Sequence, residues 1–212
     1  MSEKIAGQEE YIEQLYRLAP HGRVQLSALA RALGVKGPSV TEMCHTLAMK
    51  GLAEYEPRHG VSLTAAGRQA AEQLVRRHRL AERMLTDLIG LPWAQAHEEA
   101  CKYEHVISDE VERLLIRALP DTCPHGNPIN GTADDGEPLS DLVAGTKAEV
   151  LRIEREETEV LRYLSQLGMV PGATVTVVSR APLNGPLLVL VGDANYAIGR
   201  DVAERVIVRR AA

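Results

Sequence analysis

Phenylalanine is absent from this sequence, and aromatic residues occupy only 3% of its 212 positions. The core must therefore be built from Leu, Val, Ile, Ala and Met. No apolar run approaches the roughly 18–20 residues of a membrane-spanning helix. The N-terminal segment contains acidic residues and lacks the apolar stretch of a signal peptide. We therefore expect a cytoplasmic protein that has no membrane partner.

Cysteine is also scarce, and Cys44, Cys101 and Cys123 form neither a close pair nor a dense scaffold. An odd number of thiols in a cytosolic chain favours reduced side chains over disulfides. At least one of these thiols is then available as a metal ligand.

The net charge of −5 is unevenly distributed along the chain. Residues 1–80 contain 11 Lys or Arg against 8 Asp or Glu, whereas the remainder contains 13 against 21. Local charge steers a polyanionic partner. The positive surplus of the first 80 residues therefore permits DNA binding without demonstrating it.

The first part of the chain has the pattern of a winged helix-turn-helix. Apolar spacing and turn residues predict helices over 4–19, 27–33 and 38–50, then two strands at 52–55 and 61–63 joined by a basic tip. The N-terminal residues of the second helix in such a pair reach base edges in the major groove. Candidate DNA contacts are Lys36, Pro38, Ser39, Thr41 and Glu42, with Arg58 on the wing and further phosphate contacts from His59, Arg31 and Lys50. The alternative is a small helical subdomain with no role in DNA binding.

The rest of the chain divides into a helical part, a segment rich in Gly and Pro, and a β-rich part. Helices are predicted over 65–89, 93–106 and 108–119, followed by a segment rich in Gly and Pro at 120–148. Short β-rich segments at 149–154, 174–179, 187–191 and 206–209, with a helix at 158–166, then predict a small β-barrel of about 65 residues.

Ligand-type residues share one helical stripe in the middle of the chain. His97, Cys101, Glu104 and His105 project within an arc of about 100°, and His78 and Glu82 lie one turn apart on the preceding helix. Thiolate, imidazole and carboxylate together suit divalent iron, manganese, cobalt, nickel or zinc. The alternative is a buried thiol that acts as a small hydrophobe beside solvated charged side chains.

Three stretches resemble the diphtheria toxin repressor family of iron- and manganese-dependent regulators. They are residues 77–91, residues 97–113 and the Gly-Asn-Pro-Ile-Asn-Gly segment at 126–131, and the resemblance covers nearly the whole chain. It implies a homodimer with a mainly α fold and a small β part. The expected domains are a winged helix-turn-helix at 1–73, a metal-binding and dimerisation domain at 74–125, a linker at 126–147 and an SH3-like barrel at 148–212. The barrel is similar to ferrous-transport accessory proteins.

The resemblance also implies two metal sites. The primary site falls on Glu10, Cys101, Glu104 and His105, and the ancillary site falls on His78, Glu82, His97 and the barrel carboxylate Glu157. Iron-type members have Met at the position of Glu10. Manganese-type members have a carboxylate there, a second one matching Glu13, and Glu in place of Cys101. A further barrel ligand of the iron type falls on Val160, where Glu156 or Glu159 is a candidate substitute.

The predicted function is metal-dependent repression. A dimer loaded with Fe²⁺ or Mn²⁺ binds double-stranded operator DNA, and Co²⁺, Ni²⁺ or Zn²⁺ can replace these ions in vitro. Three alternatives remain open: a manganese-selective regulator, a metal-trafficking module and a metalloenzyme. An enzyme would need an open coordination position beside a general base, and no nucleophile elbow, phosphate loop or zinc-protease motif is present. We therefore expect neither an enzymatic activity nor a small-molecule substrate.

Replacing Cys101 by Glu should move metal selectivity from Fe²⁺ toward Mn²⁺, because carboxylate is a harder ligand than thiolate. The measurement is the ratio of the Fe²⁺ and Mn²⁺ concentrations that half-saturate operator binding, compared between C101E and the unaltered protein under reducing conditions. An unchanged ratio would mean that the thiolate does not discriminate between the two metals.

Overall fold

A computed structural model describes residues 7–19, 21–131, 133 and 135–211. These residues form two compact units that divide between Arg76 and Arg77. Among them, no helix is both long and apolar enough to cross a lipid bilayer.

The N-terminal unit has the predicted order of three helices followed by a two-stranded wing. The elements are α1 (Gln8–Leu18), α2 (Leu26–Leu33), α3 (Gly37–Met49), β1 (Ala53–Glu56), β2 (Gly60–Leu63) and the first part of α4 (Ala65–Asp87). Residues 4–6 of the predicted first helix lie outside the described residues. Helix α2 begins one residue earlier than expected and has Gln25 at its N-cap.

A small aliphatic core holds this unit together. Ile12 and Leu15 of α1 are buried with Leu29 of α2 and with Val40 and Leu47 of α3. The buried residues of α3 lie on one face of the helix, which leaves the other face exposed to solvent.

The C-terminal unit begins with the second half of α4 and ends in a sheet. Its elements are α5 (Trp93–Tyr103), a 3-10 turn (Glu104–Val106), α6 (Asp109–Ala118), β3 (Glu137–Pro138), a second 3-10 turn (Leu139–Asp141), β4 (Lys147–Ile153), α7 (Thr158–Gln166), β5 (Thr174–Arg180), β6 (Leu187–Val191), β7 (Ala194–Ile198), α8 (Arg200–Ala203) and β8 (Val206–Arg210). Ser108 is the N-cap of α6, where its hydroxyl accepts a hydrogen bond from the Val111 amide at 3.3 Å.

The six strands form one antiparallel sheet with the order β3-β8-β4-β5-β6-β7. Among the described residues the predicted SH3-like part is a small antiparallel sheet that does not close into a barrel. Closure would require the two edge strands to pair, and β3 contributes only two residues, both of which pair with β8. Strand β3 and helix α8 were not predicted, because two and four residues are too few to show a period. Strand β7 was not predicted because Ala and Asn, which are uncommon in strands, make up three of its five residues.

The segment at 120–148 is more ordered than its Gly and Pro content indicates. Cys123, His125 and Asn127 are all buried. Gly126, at φ 87°, lies directly against β4: a Cβ atom there would be 2.1 Å from the Leu151 carbonyl oxygen. Only glycine permits so close an approach at this φ.

Gly126→Ala should therefore destabilise the C-terminal unit by more than about 2 kcal/mol, because backbone strain is added to a steric collision. The matched control is Gly145→Ala, which has nearly the same φ of 86° but nothing within 4 Å of the added Cβ. Urea denaturation of the two variants would separate the effects. Equal losses would show that the contact with Leu151 adds nothing to the cost of the positive φ.

Candidate metal centre

Helices α4 and α5 bring two imidazoles and a carboxylate together in the interior. His78 and Glu82 lie one turn apart on α4, and their side chains are 2% and 0% exposed. The Oε1 atom of Glu82 lies 2.9 Å from Nε2 of His78 and 3.0 Å from Nδ1 of His97, which α5 contributes. The sequence predicted this grouping.

The carboxylate that completes this set is Glu156. Its Oε2 atom lies 3.7 Å from Nδ1 of His97. Glu157, the residue predicted from the resemblance, is instead the N-cap of α7 and pairs with Arg205 at 2.9 Å. Glu159 is exposed. We call the donors of His78, Glu82, His97 and Glu156 the histidine subsite; their ligand atoms all lie within 4.8 Å of one another.

A second donor set shares both carboxylates, and sequence reasoning missed it. Cys123 and His125 join Glu82 and Glu156 within the same 4.8 Å limit, and we call this set the cysteine subsite. Nδ1 of His125 lies 3.3 Å from Oε1 of Glu82 and 3.9 Å from Sγ of Cys123. The signal was a thiol and an imidazole two residues apart, but it lay at the edge of the segment whose composition indicated a linker.

Arg83 on α4 and Trp93 on α5 fix the loop that carries the cysteine subsite. Arg83 donates hydrogen bonds to the carbonyl oxygens of Thr122 and Cys123 at 2.9 and 3.1 Å. The Trp93 indole donates to the Pro124 carbonyl oxygen at 2.6 Å. Such outer contacts orient ligand side chains before any ion binds.

Opposing charges dominate this buried cluster. Burial alone would lower the pKa of His78, but Glu82 and further contacts raise it well above its usual value. In the same way, burial opposes the charged form of His125, and Glu82 with its other partners raises that pKa to about 12. Burial disfavours the Glu82 carboxylate, yet His78 and His125 hold its pKa well below the ordinary range. In the metal-free protein, imidazolium groups therefore neutralise the carboxylates.

One atom of the cluster lacks such compensation. Oε2 of Glu82 is buried and has no hydrogen-bond partner among the described residues. A carboxylate oxygen that has lost water without gaining a partner is costly in a protein interior. A bound cation would relieve that cost, so the donor set fits a divalent metal.

The residues predicted for the primary site are partly assembled around His78. Oε2 of Glu104, a buried residue, lies 2.5 Å from Nδ1 of His78, and Sγ of Cys101 lies 4.0 Å from the same atom. Nε2 of His105 lies 3.4 Å from Oε1 of Glu104. Cys101 and His105 are exposed. His78 thus contacts both predicted ligand sets.

The two acidic residues predicted on α1 have local partners within the N-terminal unit. Glu10 accepts a hydrogen bond from the Gly7 amide, the N-cap N–H of α1, at 3.1 Å. Glu13 is buried and pairs with Arg17 at 2.6 Å, one helical turn away.

The candidate DNA contacts lie on the exposed side of the N-terminal unit. Lys36, Pro38, Ser39 and Glu42 are exposed near the start of α3. Thr41 is half-buried, and its hydroxyl donates to the Gly37 carbonyl oxygen at 3.2 Å.

The basic tip of the wing carries the remaining candidate. Arg58 is exposed there and has a φ of 70°, in the left-handed region. This backbone conformation is uncommon for residues other than glycine.

Three family models match consecutive parts of the chain. The N-terminal DNA-binding domain of iron-dependent repressors matches residues 5–61, and their metal-binding and dimerisation domain matches residues 64–131. The FeoA domain matches residues 137–210.

Similar proteins span nearly the whole chain. The iron-dependent repressor IdeR of Mycobacterium tuberculosis is 36% identical over 232 residues, covering 99% of this chain and all of the relative. The crystal structure of T. acidophilum IdeR matches 99% of this chain and 100% of its own at 29% identity, with a TM-score of 0.78. A manganese-dependent transcriptional repressor in complex with manganese matches 97% of this chain and 100% of its own at 28% identity, with a TM-score of 0.84.

Replacing Glu82 by Gln should destabilise the metal-free protein by about 3 kcal/mol, because it leaves buried imidazolium groups without their counter-charge. The measurement is urea unfolding in the presence of a chelator, followed by the fluorescence of Trp93, the only tryptophan.

The matched control is Glu98→Gln on α5, whose exposed carboxylate lies 3.5 Å from Arg162. Loss of a surface pair of this kind should change stability by less than about 1 kcal/mol. Similar values for the two variants would argue against charge compensation in the buried cluster.

Proposed function

Because the chain belongs to the iron-dependent repressor family, we propose that it represses transcription by binding operator DNA as a homodimer when loaded with Fe²⁺ or Mn²⁺. We propose further that it acts in the cytoplasm and has no small-molecule substrate.

The observation that carries this proposal is the convergence of buried donors in the C-terminal unit. His78, Glu82 and His97 are between 0% and 8% exposed, yet one Glu82 oxygen has no partner among the described residues. Such an arrangement suits an ion that stays bound as a regulator. A bound ion would add the positive charge that keeps carboxylate, imidazole and thiolate side chains together.

The proposed ligands fall into two sets. For the ancillary site we infer His78, Glu82, His97 and Glu156, with Glu156 in the role predicted for Glu157. The primary set stays as the family resemblance implies it: Glu10, Cys101, Glu104 and His105, with Glu13 as a candidate additional carboxylate. The short contact between Glu104 and His78 supports a link between the two sets.

The proposed DNA-reading surface is the exposed face of α3 together with the wing. Its side chains combine two cations, Lys36 and Arg58, with hydroxyl and apolar groups, which suits contacts with both phosphates and base edges. Homodimer formation is supported by exposed apolar side chains on α6. Val111 and Leu114 are 43% and 54% exposed, and apolar surface of this kind favours a protein partner.

Two other functions fit less well. A metalloenzyme needs an open coordination position next to a substrate cleft, whereas these donors are buried. A metal-trafficking role has one specific argument, the FeoA match over residues 137–210. A trafficking role would not account for the N-terminal DNA-binding domain, which matches residues 5–61.

The choice between iron and manganese rests on mixed evidence. The thiolate of Cys101 favours Fe²⁺, while the carboxylates of Glu10 and Glu13 favour Mn²⁺. We propose Fe²⁺ as the physiological ion and Mn²⁺ as the alternative. Co²⁺, Ni²⁺ and Zn²⁺ are expected to bind in vitro.

Metal should raise operator affinity by about 5–150-fold, the usual range of coupling between two sites. Because coupling is reciprocal, operator DNA should raise metal affinity by the same factor. Fluorescence anisotropy of labelled promoter DNA, with each divalent metal and with chelator, measures the first quantity, and metal titration with and without DNA measures the second.

Cys101→Ala and Glu104→Gln should lose this metal response. Glu98→Gln, a surface change on α5, should keep the metal response. Equal operator affinity with Fe²⁺, with Mn²⁺ and with chelator would reject the proposed function.

A further inference from the structure

Helix α3 presents one carboxylate at the centre of its solvent-facing side. Its buried residues, Val40, Cys44 and Leu47, project within an arc of about 60° at about 100° per residue. Glu42 projects about 170° from the middle of that arc, and it is exposed. The exposed Pro38 lies one helical turn before it on the same side. A partner that lies along this face therefore meets Glu42 at the centre of the contact.

The carboxylate of Glu42 is left uncompensated by the fold. The backbone carbonyl oxygen of this residue accepts a hydrogen bond from the Thr46 hydroxyl at 3.1 Å, but within the part of the chain that the structure describes its carboxylate has neither a hydrogen bond nor an ion pair. The carboxylates of the wing differ, because Arg23 lies 3.8 Å from Glu54 and 2.8 Å from Glu56. Negative charge is thus compensated on the wing and uncompensated on α3.

An uncompensated carboxylate on this face lowers the affinity for DNA in general. Proteins gain most of their sequence-independent affinity for DNA from cations that neutralise phosphates, and an anion on the same surface opposes that gain. In the proposed complex, α3 is the helix that reaches base edges in the major groove. A negative side chain at its centre is favourable there only beside a base edge that donates hydrogen bonds.

The four bases differ in what they present to a carboxylate, which can only accept hydrogen bonds. In the major groove guanine presents two acceptors, and thymine presents an acceptor and a methyl group. Adenine presents its N6 amino donor next to the N7 acceptor, which repels a carboxylate. Cytosine presents its N4 amino donor without an acceptor of its own. Cytosine is therefore the base that a carboxylate prefers.

We propose that Glu42 determines the sequence specificity of operator binding by accepting a hydrogen bond from the N4 amino group of one cytosine in each half-site. The same negative charge repels the acceptor atoms of the other three bases at that position, and it weakens binding to DNA of unrelated sequence. The inference rests on the proposed function, the binding of operator DNA by a metal-loaded dimer.

Selection from a library of randomised duplexes identifies the position that Glu42 contacts. The full-length protein is used with Fe²⁺ or Mn²⁺ under reducing conditions. At one cytosine of each half-site that the unaltered protein selects, Glu42→Gln should select adenine instead, because an amide can accept from N6 while it donates to N7. The other positions of the half-site should keep their preferences.

Anisotropy titrations with labelled duplexes measure the size of the effect. Replacing that cytosine–guanine pair in one half-site should weaken binding by the unaltered protein by about 5–150-fold. The same replacement should have little effect on binding by Glu42→Ala, which has no carboxylate to contact the base. Glu42→Ala should also bind DNA of unrelated sequence more tightly than the unaltered protein, because a repelling charge has been removed.

The matched control is Glu72→Gln. Glu72 is exposed on α4 within the same N-terminal unit, so this substitution removes an equal charge from a different helix. It should leave every base preference unchanged, including the preference for cytosine at the position that Glu42 contacts. Circular dichroism checks that each variant is folded.

Two results would overturn the inference. One is an unchanged base preference at every operator position in Glu42→Gln, and the other is a cytosine preference that Glu42→Ala retains in full. Failure of the proposed function looks different. The unaltered protein would then select no sequence in a metal-dependent way, and the inference would fail together with the function on which it rests.

Discussion

The contact between the Glu82 carboxylate and the surrounding imidazoles determines how the C-terminal unit is built. A fully buried carboxylate is tolerated only with counter-charge or a cation, and here the imidazoles around it come from α4 itself, from α5 and from the loop after α6. Each of those segments must therefore pack close to α4. Arg83 holds the loop from the same helix, and Gly126 lets it pass against β4. The contacts that pack the unit therefore also place its donor side chains.

The elements of the fold were largely predictable from the sequence, since long amphipathic helices and a wing bounded by turn residues have clear periods. Helices α3 and α4 begin within one residue of their predicted starts. Strand β7 was missed because three of its five residues are Ala or Asn, which are uncommon in strands. Helix α8 was missed because four residues are too few to display a helical period. Strand patterns do not predict whether the sheet closes, because closure depends on the pairing of edge strands, which is a non-local property.

The site was predictable only where its residues share a helix. His78 and Glu82 are one turn apart, so sequence spacing alone brings them together. Cys123 and His125 lie in an irregular loop, where no period connects position in the chain to position in space. Glu156 and Glu157 are adjacent in sequence but face different partners, His97 and Arg205. Which of the two faces inward depends on the turn before α7, where Arg155 adopts a φ of 52°.

The sharing of carboxylates constrains how the protein can diverge. A substitution at Glu82 or Glu156 alters the histidine subsite and the cysteine subsite at once, so neither subsite can change through these residues without the other. His97, Cys123 and His125 each belong to only one of these two subsets and can be exchanged one at a time. Lineages that adapt to a different inorganic environment should therefore vary at these three positions while keeping both carboxylates.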